Sequence, residues 1–250
     1  MKQHNQAFTN YEQISQKINK NKIYLLSGKY KFTSEKYNYI VKDIILKLLP
    51  SKNETLLDIG TGDGTITKKL SKKFKNIYTI DSHKIIEKLN EFFIFKGIKN
   101  VKFLKGNFLY TNFNFKKKFD KILIYSVVQY LNSYKDFNKF INKALKNLKK
   151  GGTLLVGDIP NTDMNDRYKR SKEFKKLSIN FRKKTKIGFS NLDRQFHEMF
   201  TKKNYIKFND NILLKVLKKY NNKSLECYIL PQNKKLPYSV SRVDLLILKR

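Results

Sequence analysis

Three closely spaced glycines and two aspartates carry the clearest chemical signal in the chain. The segment Asp58-Ile-Gly60-Thr-Gly62-Asp-Gly64 follows an apolar run and precedes a helical pattern. A strand that enters such a turn and continues into a helix lets the backbone approach a ligand closely, with helix N–H groups aimed at it. Thr65 stands where a dinucleotide-binding fingerprint needs its third glycine, so this pattern differs from that fingerprint.

The two carboxylates narrow the chemistry of the expected ligand. Asp58 lies two residues before Gly60, where a carboxylate suits a ligand with a positively charged amino group. Asp81 ends the next apolar run, about twenty residues on, where a carboxylate can accept hydrogen bonds from two ribose hydroxyls. Together they predict a ligand with an ammonium group, a ribose and no pyrophosphate. A helix N-cap is the alternative for Asp81, and a tight turn without a ligand is the alternative for the glycines.

The elements that must position these residues alternate along the chain. Apolar runs typical of strands are separated by amphipathic stretches typical of helices, and Pro50 ends the first helical pattern. The predicted helices include Ser34–Leu49, Ile85–Phe95 and Phe137–Leu148. The predicted strands are Thr55–Ile59, Ile77–Ile80, Val101–Leu104, Lys121–Tyr125, Thr153–Val156, Ser224–Ile229 and Val243–Leu248. The turn Lys150-Gly151-Gly152 precedes the fifth of them. This alternation predicts an α/β fold with βαβ units and a mostly parallel sheet.

The segment Asp58–Gly64, taken with Asp81, resembles the cofactor site of class I S-adenosylmethionine-dependent methyltransferases. The resemblance covers roughly residues 50–160. It implies a Rossmann-like, seven-stranded, mostly parallel sheet with helices on both faces and an antiparallel last strand. It also implies S-adenosyl-L-methionine as the cofactor. The cofactor-binding residues that it implies are Asp58, Gly60, Thr61, Gly62, Gly64, Asp81, Ser82, Asn107, Phe108 and Ser126.

The same resemblance implies roles for some of these residues. The glycines shape the loop under the methionine moiety, Asp58 orients the amino group through neighbouring groups or water, and Asp81 holds the ribose. Asn107 stands where the family often has an acidic residue that binds the adenine amine. Its side-chain oxygen can accept a hydrogen bond from that amine. A turn residue is the alternative for Asn107.

Residues that follow the fourth and fifth predicted strands are candidates for binding the acceptor, because ligands of open α/β sheets bind beyond the carboxyl ends of the strands. Gln129 and Tyr130 follow the fourth strand, in a stretch that resembles small-molecule methyltransferases rather than amino-methylating nucleic-acid enzymes. Asp158 follows the fifth strand. Asp158 and His197 are the candidate catalytic bases for a hydroxyl acceptor. A loop cap is the alternative for Asp158, and a surface helix residue is the alternative for His197.

Residues from about 160 to 210 interrupt the alternation and are predicted to form a basic, mostly helical insert. Its segment Arg167–Lys186 contains ten basic residues and one acidic residue. The large lysine excess of the chain fits A/T-rich codon usage, but clustered arginines do not, and arginine offers the planar fork that matches phosphate. Arg167, Arg170 and Arg194 are therefore candidate substrate-binding residues for an anionic acceptor. A solvated helix face is the alternative.

The composition of the chain limits which other functions and sites are expected. The formal net charge of +34 is compatible with a nucleic-acid partner, so RNA (rRNA or tRNA) methylation is the alternative function. The single cysteine, Cys227, excludes an intramolecular disulfide, and the cysteine and histidine spacing predicts no metal site. The chain has neither a signal-peptide pattern nor an apolar run long enough to cross a membrane, which predicts a cytoplasmic protein.

These patterns predict an N-terminal helical cap over residues 1–50 and a class I methyltransferase domain over residues 51–250. The expected reaction is methyl transfer to a small anionic acceptor, a hydroxyl of a sugar, sugar-phosphate or nucleotide-sugar. The segment Leu236–Asp244 resembles the ending of methyltransferases that modify bacterial surface sugars, which points to capsule or lipopolysaccharide biosynthesis. A non-catalytic cofactor-binding protein is disfavoured by the intact Asp58, glycines and Asp81. The oligomeric state is left open.

Overall fold

A computed structural model of the 250-residue chain describes residues 33–81, 85–172, 205–236 and 238–250. In these residues the strands are β1 (Thr55–Ile59), β2 (Asn76–Asp81), β3 (Val101–Lys105), β4 (Phe119–Tyr125), β5 (Leu148–Pro160), β6 (Leu225–Pro231) and β7 (Arg242–Lys249). The α-helices are α1 (Ser34–Leu48), α2 (Thr65–Leu70), α3 (Ile85–Phe95), α4 (Tyr134–Lys146), α5 (Thr162–Arg170) and α6 (Asp210–Tyr220). No helix in this part of the chain combines the length and the apolarity that a membrane crossing needs.

The strands form one sheet in the order β3-β2-β1-β4-β5-β7-β6. Strands β1 to β5 pair in parallel, whereas β7 runs antiparallel to both β5 and β6. The predicted fold class, a Rossmann-like, mostly parallel sheet of seven strands with an antiparallel last strand, is confirmed. The strand order reverses between β1 and β4, so a crevice opens beyond their carboxyl ends, where ligands of such sheets bind.

Predicted and observed elements differ mainly at their ends. The prediction for β5 began at Thr153, after a turn, but the strand begins at Leu148 because Phe119 already pairs with Leu148. The register between β4 and β5 then shifts at Phe119 and Lys121, so the two glycines lie within the strand. Helix α4 begins at Tyr134, before the predicted start, because Ser133 caps it by accepting a hydrogen bond from the Asp136 N–H group.

Alternating residues of the strands fill two apolar layers, one on each face of the sheet. In β4, Ile122 and Ile124 face one layer, and Leu123 faces the other. Helices α4 and α6 cover the first layer, and helices α1, α2 and α3 cover the second. This sandwich holds the carboxyl ends of β1, β4 and β5 side by side.

Helix α1 lies within the segment predicted as an N-terminal cap, and it packs directly on the sheet. Its residues Ile40, Ile44 and Leu48 are at most 1% exposed and share a cluster with Leu56 and Leu155 of the strands. Residues 1–32 lie outside the described part of the chain. The division into a cap and a catalytic domain stays a prediction.

The described ends of the predicted insert meet in space. Thr162, at the start of α5, donates its N–H to the carbonyl oxygen of Phe208 at 2.8 Å. Residues 173–204 lie outside the described part, and with them the predicted site residues Arg194 and His197. The same holds for Ser82. The insert as a basic, mostly helical unit stays a prediction beyond α5.

Candidate active site

The loop between β1 and α2 is built by three glycines in the left-handed backbone region. The φ angles of Gly60, Gly62 and Gly64 are 87°, 57° and 74°, values that only glycine adopts at little cost. A Cβ atom on Gly60 would lie 2.3 Å from Cγ2 of Val127, so the loop packs against the segment that follows β4. The chain therefore turns tightly at the carboxyl end of β1 and lacks a side chain at every second position of the loop, as close approach of a ligand requires.

Asp58 lies beneath this loop and is 3% exposed. Its Oδ2 atom accepts a hydrogen bond from the Thr67 hydroxyl at 2.5 Å, and the hydroxyl oxygens of Thr67 and Thr61 are 2.6 Å apart. Burial raises the pKa of Asp58 from 3.8 to about 6; the bond from Thr67 opposes this rise, and repulsion from Asp81 adds to it. A path from Asp58 to the loop runs through these two hydroxyls, in line with the indirect role expected for Asp58.

Two further carboxylates brace the loop. Asp81, at the end of β2, accepts a hydrogen bond from the Gly62 N–H at 2.8 Å. Asp63 accepts hydrogen bonds from the Thr65 N–H at 2.9 Å and from the Tyr37 hydroxyl at 2.8 Å. Tyr37 belongs to α1 and was not predicted as a site residue, because its place in an apolar helical pattern indicates only core packing.

Two residues other than glycine adopt the left-handed backbone here, Ser126 directly after β4 and the buried Asp158 near the end of β5. The prediction that Asp158 follows the fifth strand is wrong, because β5 continues through a register shift between Val156 and Ile159 as far as Pro160. The φ angles of Ser126 and Asp158 are 59° and 65°. Such residues cost about 1–3 kcal/mol each and persist only where surrounding contacts hold them. The Ser126 hydroxyl donates to Oδ2 of Asp158, and the Ser126 N–H donates to the Gly157 carbonyl oxygen at 3.0 Å. The fold thus brings together a predicted cofactor residue and a predicted base.

A buried charged network holds the backbone of Asp158. The Asp158 N–H donates to Oδ1 of Asp244 at 2.8 Å, and the side-chain amide of Gln232 donates to the same oxygen at 3.0 Å. The Lys47 ammonium binds Oδ2 of Asp244 and Oδ2 of Asp43, each at 2.6 Å. Burial raises the pKa of Asp244 above its usual value, and the charge of Lys47 opposes that rise. Helix α1 and strand β7 are thereby connected to the candidate base.

Arg242 is a further residue at this edge that was not predicted. Its Nη1 atom donates to the Asp158 carbonyl oxygen at 2.9 Å and lies 3.5 Å from Oδ2 of Asp158. Its guanidinium carbon lies 5.2 Å from the centroid of the Tyr238 ring. Because β7 is antiparallel, its first residue lies at the carboxyl edge of the parallel strands. The expected antiparallel last strand was the signal that could have identified Arg242.

Two predicted cofactor residues after β3 make contacts within the protein. The Asn107 side-chain oxygen accepts a hydrogen bond from the Leu109 N–H at 2.9 Å, as in an Asx turn. The Phe108 ring is 3% exposed and packs against the rings of Phe113 and Phe140. Their roles in cofactor binding stay predictions.

The predicted acceptor residues after β4 lie in a short 3₁₀ turn, Val128–Tyr130. The Gln129 side-chain oxygen is buried and has no hydrogen-bond partner among the described residues. A buried acceptor of this kind calls for a donor, and a ligand can supply one. The Tyr130 ring meets the Tyr205 ring edge-on at 6.0 Å.

The two predicted arginines of α5 are exposed. Arg167 donates to Oδ2 of Asp210 at 2.8 Å, and Arg170 donates to the Asp166 carbonyl oxygen at 3.2 Å. Both arginines are therefore held by contacts near the ends of the insert. Their role as an anion clamp stays a prediction.

Comparison with known proteins identifies the family. A family model described as a methyltransferase domain matches residues 50–218. The chain is 32% identical over 97 residues to a probable ribosomal RNA small subunit methyltransferase A from Methanosphaera stadtmanae, covering 36% of this chain and 35% of that protein. It is 31% identical over 155 residues to a ubiquinone biosynthesis O-methyltransferase from Pelagibacter ubique, covering 54% of this chain and 59% of that protein. The chain therefore spans less than two thirds of either relative.

A solved structure shows the same fold. N-methyltransferase NodS from Bradyrhizobium japonicum, in complex with S-adenosyl-l-homocysteine, matches with a TM-score of 0.57 at 15% identity, covering 96% of this chain and 98% of that chain. The tight glycine loop and the carboxylate of Asp81 beside it are chemically suited to the methionine and ribose parts of S-adenosylmethionine. Because the family model covers well over half of its length, this chain belongs to the methyltransferase domain family and is a methyltransferase domain of the S-adenosylmethionine-dependent class.

Proposed function

We propose that this chain methylates a hydroxyl group of a small anionic acceptor of the sugar, sugar-phosphate or nucleotide-sugar class. One observation carries the proposal: the Asp158 carboxylate stands at the carboxyl edge of the sheet, bound by Ser126 and 3.5 Å from the guanidinium of Arg242. A carboxylate next to an arginine suits an acceptor that must lose a proton and that also carries a negative charge.

The residues divide the reaction between them. Bound S-adenosylmethionine supplies an electrophilic methyl group on a positively charged sulfur. The glycine loop and Asp81 would hold its methionine and ribose parts. Asp158 would accept the proton of the acceptor hydroxyl, so that this oxygen can replace the sulfur on the methyl group and S-adenosylhomocysteine can leave. Ser126 fixes the orientation of the Asp158 carboxylate, and Arg242 pairs with the negative charge of the acceptor.

The insert and the last strand support an anionic acceptor. Arg167, Arg170 and Arg194 are proposed to bind its phosphate groups, with His197 as the second candidate base. The segment Leu236–Asp244, on which the surface-sugar resemblance rests, contains the Arg242 that contacts Asp158. We therefore assign the reaction to capsule or lipopolysaccharide assembly in the cytoplasm.

An acceptor panel tests the proposal. The panel contains nucleotide-sugars, sugar phosphates and uncharged glycosides, and mass spectrometry measures methylated product. We expect turnover with an anionic sugar, and Asp158→Asn should lower the rate constant roughly a hundredfold or more, as loss of a general base does. Asp166→Asn, an exposed aspartate on α5, is the control. Wild-type turnover by Asp158→Asn would remove Asp158 as the base.

RNA methylation is a second candidate function. The net charge of +34 and the 32% identity over 97 residues with the probable ribosomal RNA methyltransferase favour it. Binding through six or more phosphates should weaken on the order of a thousandfold between low and moderate salt, whereas small-molecule turnover should change far less. A gel-shift series with rRNA and tRNA fragments distinguishes the two. Tight, salt-dependent and structure-selective binding would replace the sugar acceptor with RNA.

A further inference from the structure

A cavity opens at the edge of the sheet where the parallel strands begin. It has a volume of about 690 Å³, in the range of small-molecule sites. Its wall includes Thr55, Asn76 and Phe119, the first residues of β1, β2 and β4, and the loop residues 113–118 before β4. Thr55, at the start of β1, lies about 16 Å along that strand from the glycine loop, while Leu104 near the end of β3 also lines the cavity. We call it the amino-edge pocket.

Aromatic rings line one side of the amino-edge pocket. Phe113 and Phe115 are half-buried and stack on each other at 5.8 Å, with their planes 18° apart. Phe115 meets Phe119 edge-on at 5.0 Å, and Tyr78 meets Phe119 edge-on at 5.3 Å. Rings that keep part of their surface at a cavity wall can pack against a flat ligand, as base–aromatic stacking does in proteins that bind single strands.

Lysines surround the aromatic wall. The lysines that line the pocket are Lys75, Lys116, Lys117, Lys118 and Lys149. Asp120 is the one acidic residue of the lining, and it already binds Lys149 at 2.6 Å and the Thr55 N–H at 2.8 Å. Burial raises the pKa of Asp120, but the hydrogen bonds from Lys149 and Thr55 outweigh it and hold the pKa below its usual value. Asp120 is thus anionic and already engaged, which leaves an excess of positive charge around the pocket.

The lysine-rich composition of the chain does not account for this arrangement by itself. Three consecutive exposed lysines, Lys116–Lys118, follow directly on the two stacked phenylalanines. None of these three lysines forms a salt bridge with a described residue. A ligand that contacts both the aromatic wall and the lysines combines a flat aromatic group with a negative charge a few ångströms away.

We propose that the amino-edge pocket binds a nucleotide, with the base against Phe113 and Phe115 and the phosphate among Lys116–Lys118. The nucleotide can be free in solution or one unit of a single-stranded RNA, since both present the same base and phosphate. The pocket does not include the glycine loop or Asp158, although its Phe113 packs against Phe108. The inference therefore does not depend on the identity of the acceptor.

Two binding experiments on the 250-residue chain test whether the pocket binds a nucleotide and whether that nucleotide is free or part of an RNA strand. Calorimetry measures UMP, AMP and glucose 1-phosphate, and fluorescence anisotropy measures labelled single-stranded decauridylate. The combined variant Lys116→Gln, Lys117→Gln and Lys118→Gln should weaken nucleotide binding at least roughly tenfold. The matched control, Lys215→Gln, Lys218→Gln and Lys219→Gln on the exposed face of α6, removes the same charge and should weaken binding less than about threefold.

A second variant tests the aromatic wall. Phe115→Leu should weaken nucleotide binding roughly fivefold or more, the loss that removal of one stacking partner causes. Saturating S-adenosylhomocysteine should leave the affinity for the nucleotide unchanged. Phe115→Leu should bind S-adenosylhomocysteine as tightly as the wild type does, and this control shows that the variant is folded. Comparable binding of UMP and decauridylate assigns the site to free nucleotides, and binding of decauridylate alone assigns it to RNA.

Four results would overturn the proposal. Equal weakening of nucleotide binding by the Lys116–Lys118 variant and by the α6 control variant would show a diffuse charge effect. Equal binding of glucose 1-phosphate and UMP would show an anion site without base recognition. Displacement of the nucleotide by S-adenosylhomocysteine, or no binding of either probe at low salt, would remove the amino-edge pocket as the site.

Discussion

Two groups of left-handed residues shape the carboxyl edge of the sheet, and they differ in what holds them. The loop after β1 uses Gly60, Gly62 and Gly64, which reach positive φ angles at little cost. The turn after β4 uses Ser126, and the irregularity near the end of β5 uses Asp158; each costs about 1–3 kcal/mol. Local sequence therefore encodes the cofactor side of the site, whereas the acceptor side depends on contacts between distant parts of the chain.

The distant contacts have an identifiable centre. Asp244 is fully buried and accepts the Asp158 N–H, while Lys47 neutralises its charge. A buried ion pair is by itself weak evidence for stability, because desolvation cancels much of the attraction. Here the pair also fixes the strained backbone of the candidate base, and we assign it that positioning role.

The largest expected effect comes from a substitution that breaks the buried contacts on the acceptor side of the site. Asp244→Asn should lower the free energy of unfolding by about 3 kcal/mol, the low end for a broken buried ion pair, because Asp43 still binds Lys47. The control Asp166→Asn breaks an exposed pair with Lys169 at 3.8 Å and should have no measurable effect. Urea denaturation measures both variants. Equal losses in the two would refute a special role for Asp244.

The next effect concerns the glycine loop. Gly60→Ala combines left-handed strain with a Cβ atom 2.3 Å from Val127, whereas Gly97→Ala has a similar φ of 70° and no atom within 4 Å. Gly60→Ala should therefore cost about 2 kcal/mol more than Gly97→Ala in urea denaturation, the typical cost of overpacking. Adding Val127→Ala should recover part of that difference. Equal costs at the two glycines would show that Val127 does not close the loop.

A smaller expected effect is the pH dependence of cofactor affinity, which depends on the ionisation of Asp58. Because the folded pKa is raised to about 6 from 3.8, the folded state holds a proton that the unfolded state has lost, and Asp58 lowers stability as pH rises from 3.8 to 6. A bound ammonium group favours the ionised carboxylate, so cofactor affinity should rise roughly tenfold between pH 5 and pH 7. Asp58→Asn should remove this rise. Calorimetry at several pH values measures it, and a flat wild-type profile would contradict it.

The features that the sequence could predict were local ones. The glycine loop has a recognisable spacing and the strands alternate with helices, so the α/β sheet was predictable from the residues. The antiparallel last strand was expected only from the resemblance to class I methyltransferases. Lys47 and Asp244 are separated by 197 residues, and no local spacing connects them. Tyr37 was hidden in an apolar helical pattern. Arg242 was hidden at the start of a strand, although its strand direction could have placed it at the site.

The most direct test of the account is calorimetric titration of S-adenosylmethionine into the wild-type chain and into Asp81→Ala, with Asp166→Ala as the control. Asp81 supports the loop through Gly62 and is proposed to bind the ribose. We expect one site in the wild type, an affinity at least roughly tenfold weaker in Asp81→Ala, about 1.4 kcal/mol, and an unchanged affinity in the control. Circular dichroism checks that the variant is folded. Equal affinity in Asp81→Ala and the wild type, or no binding by the wild type, would contradict the account.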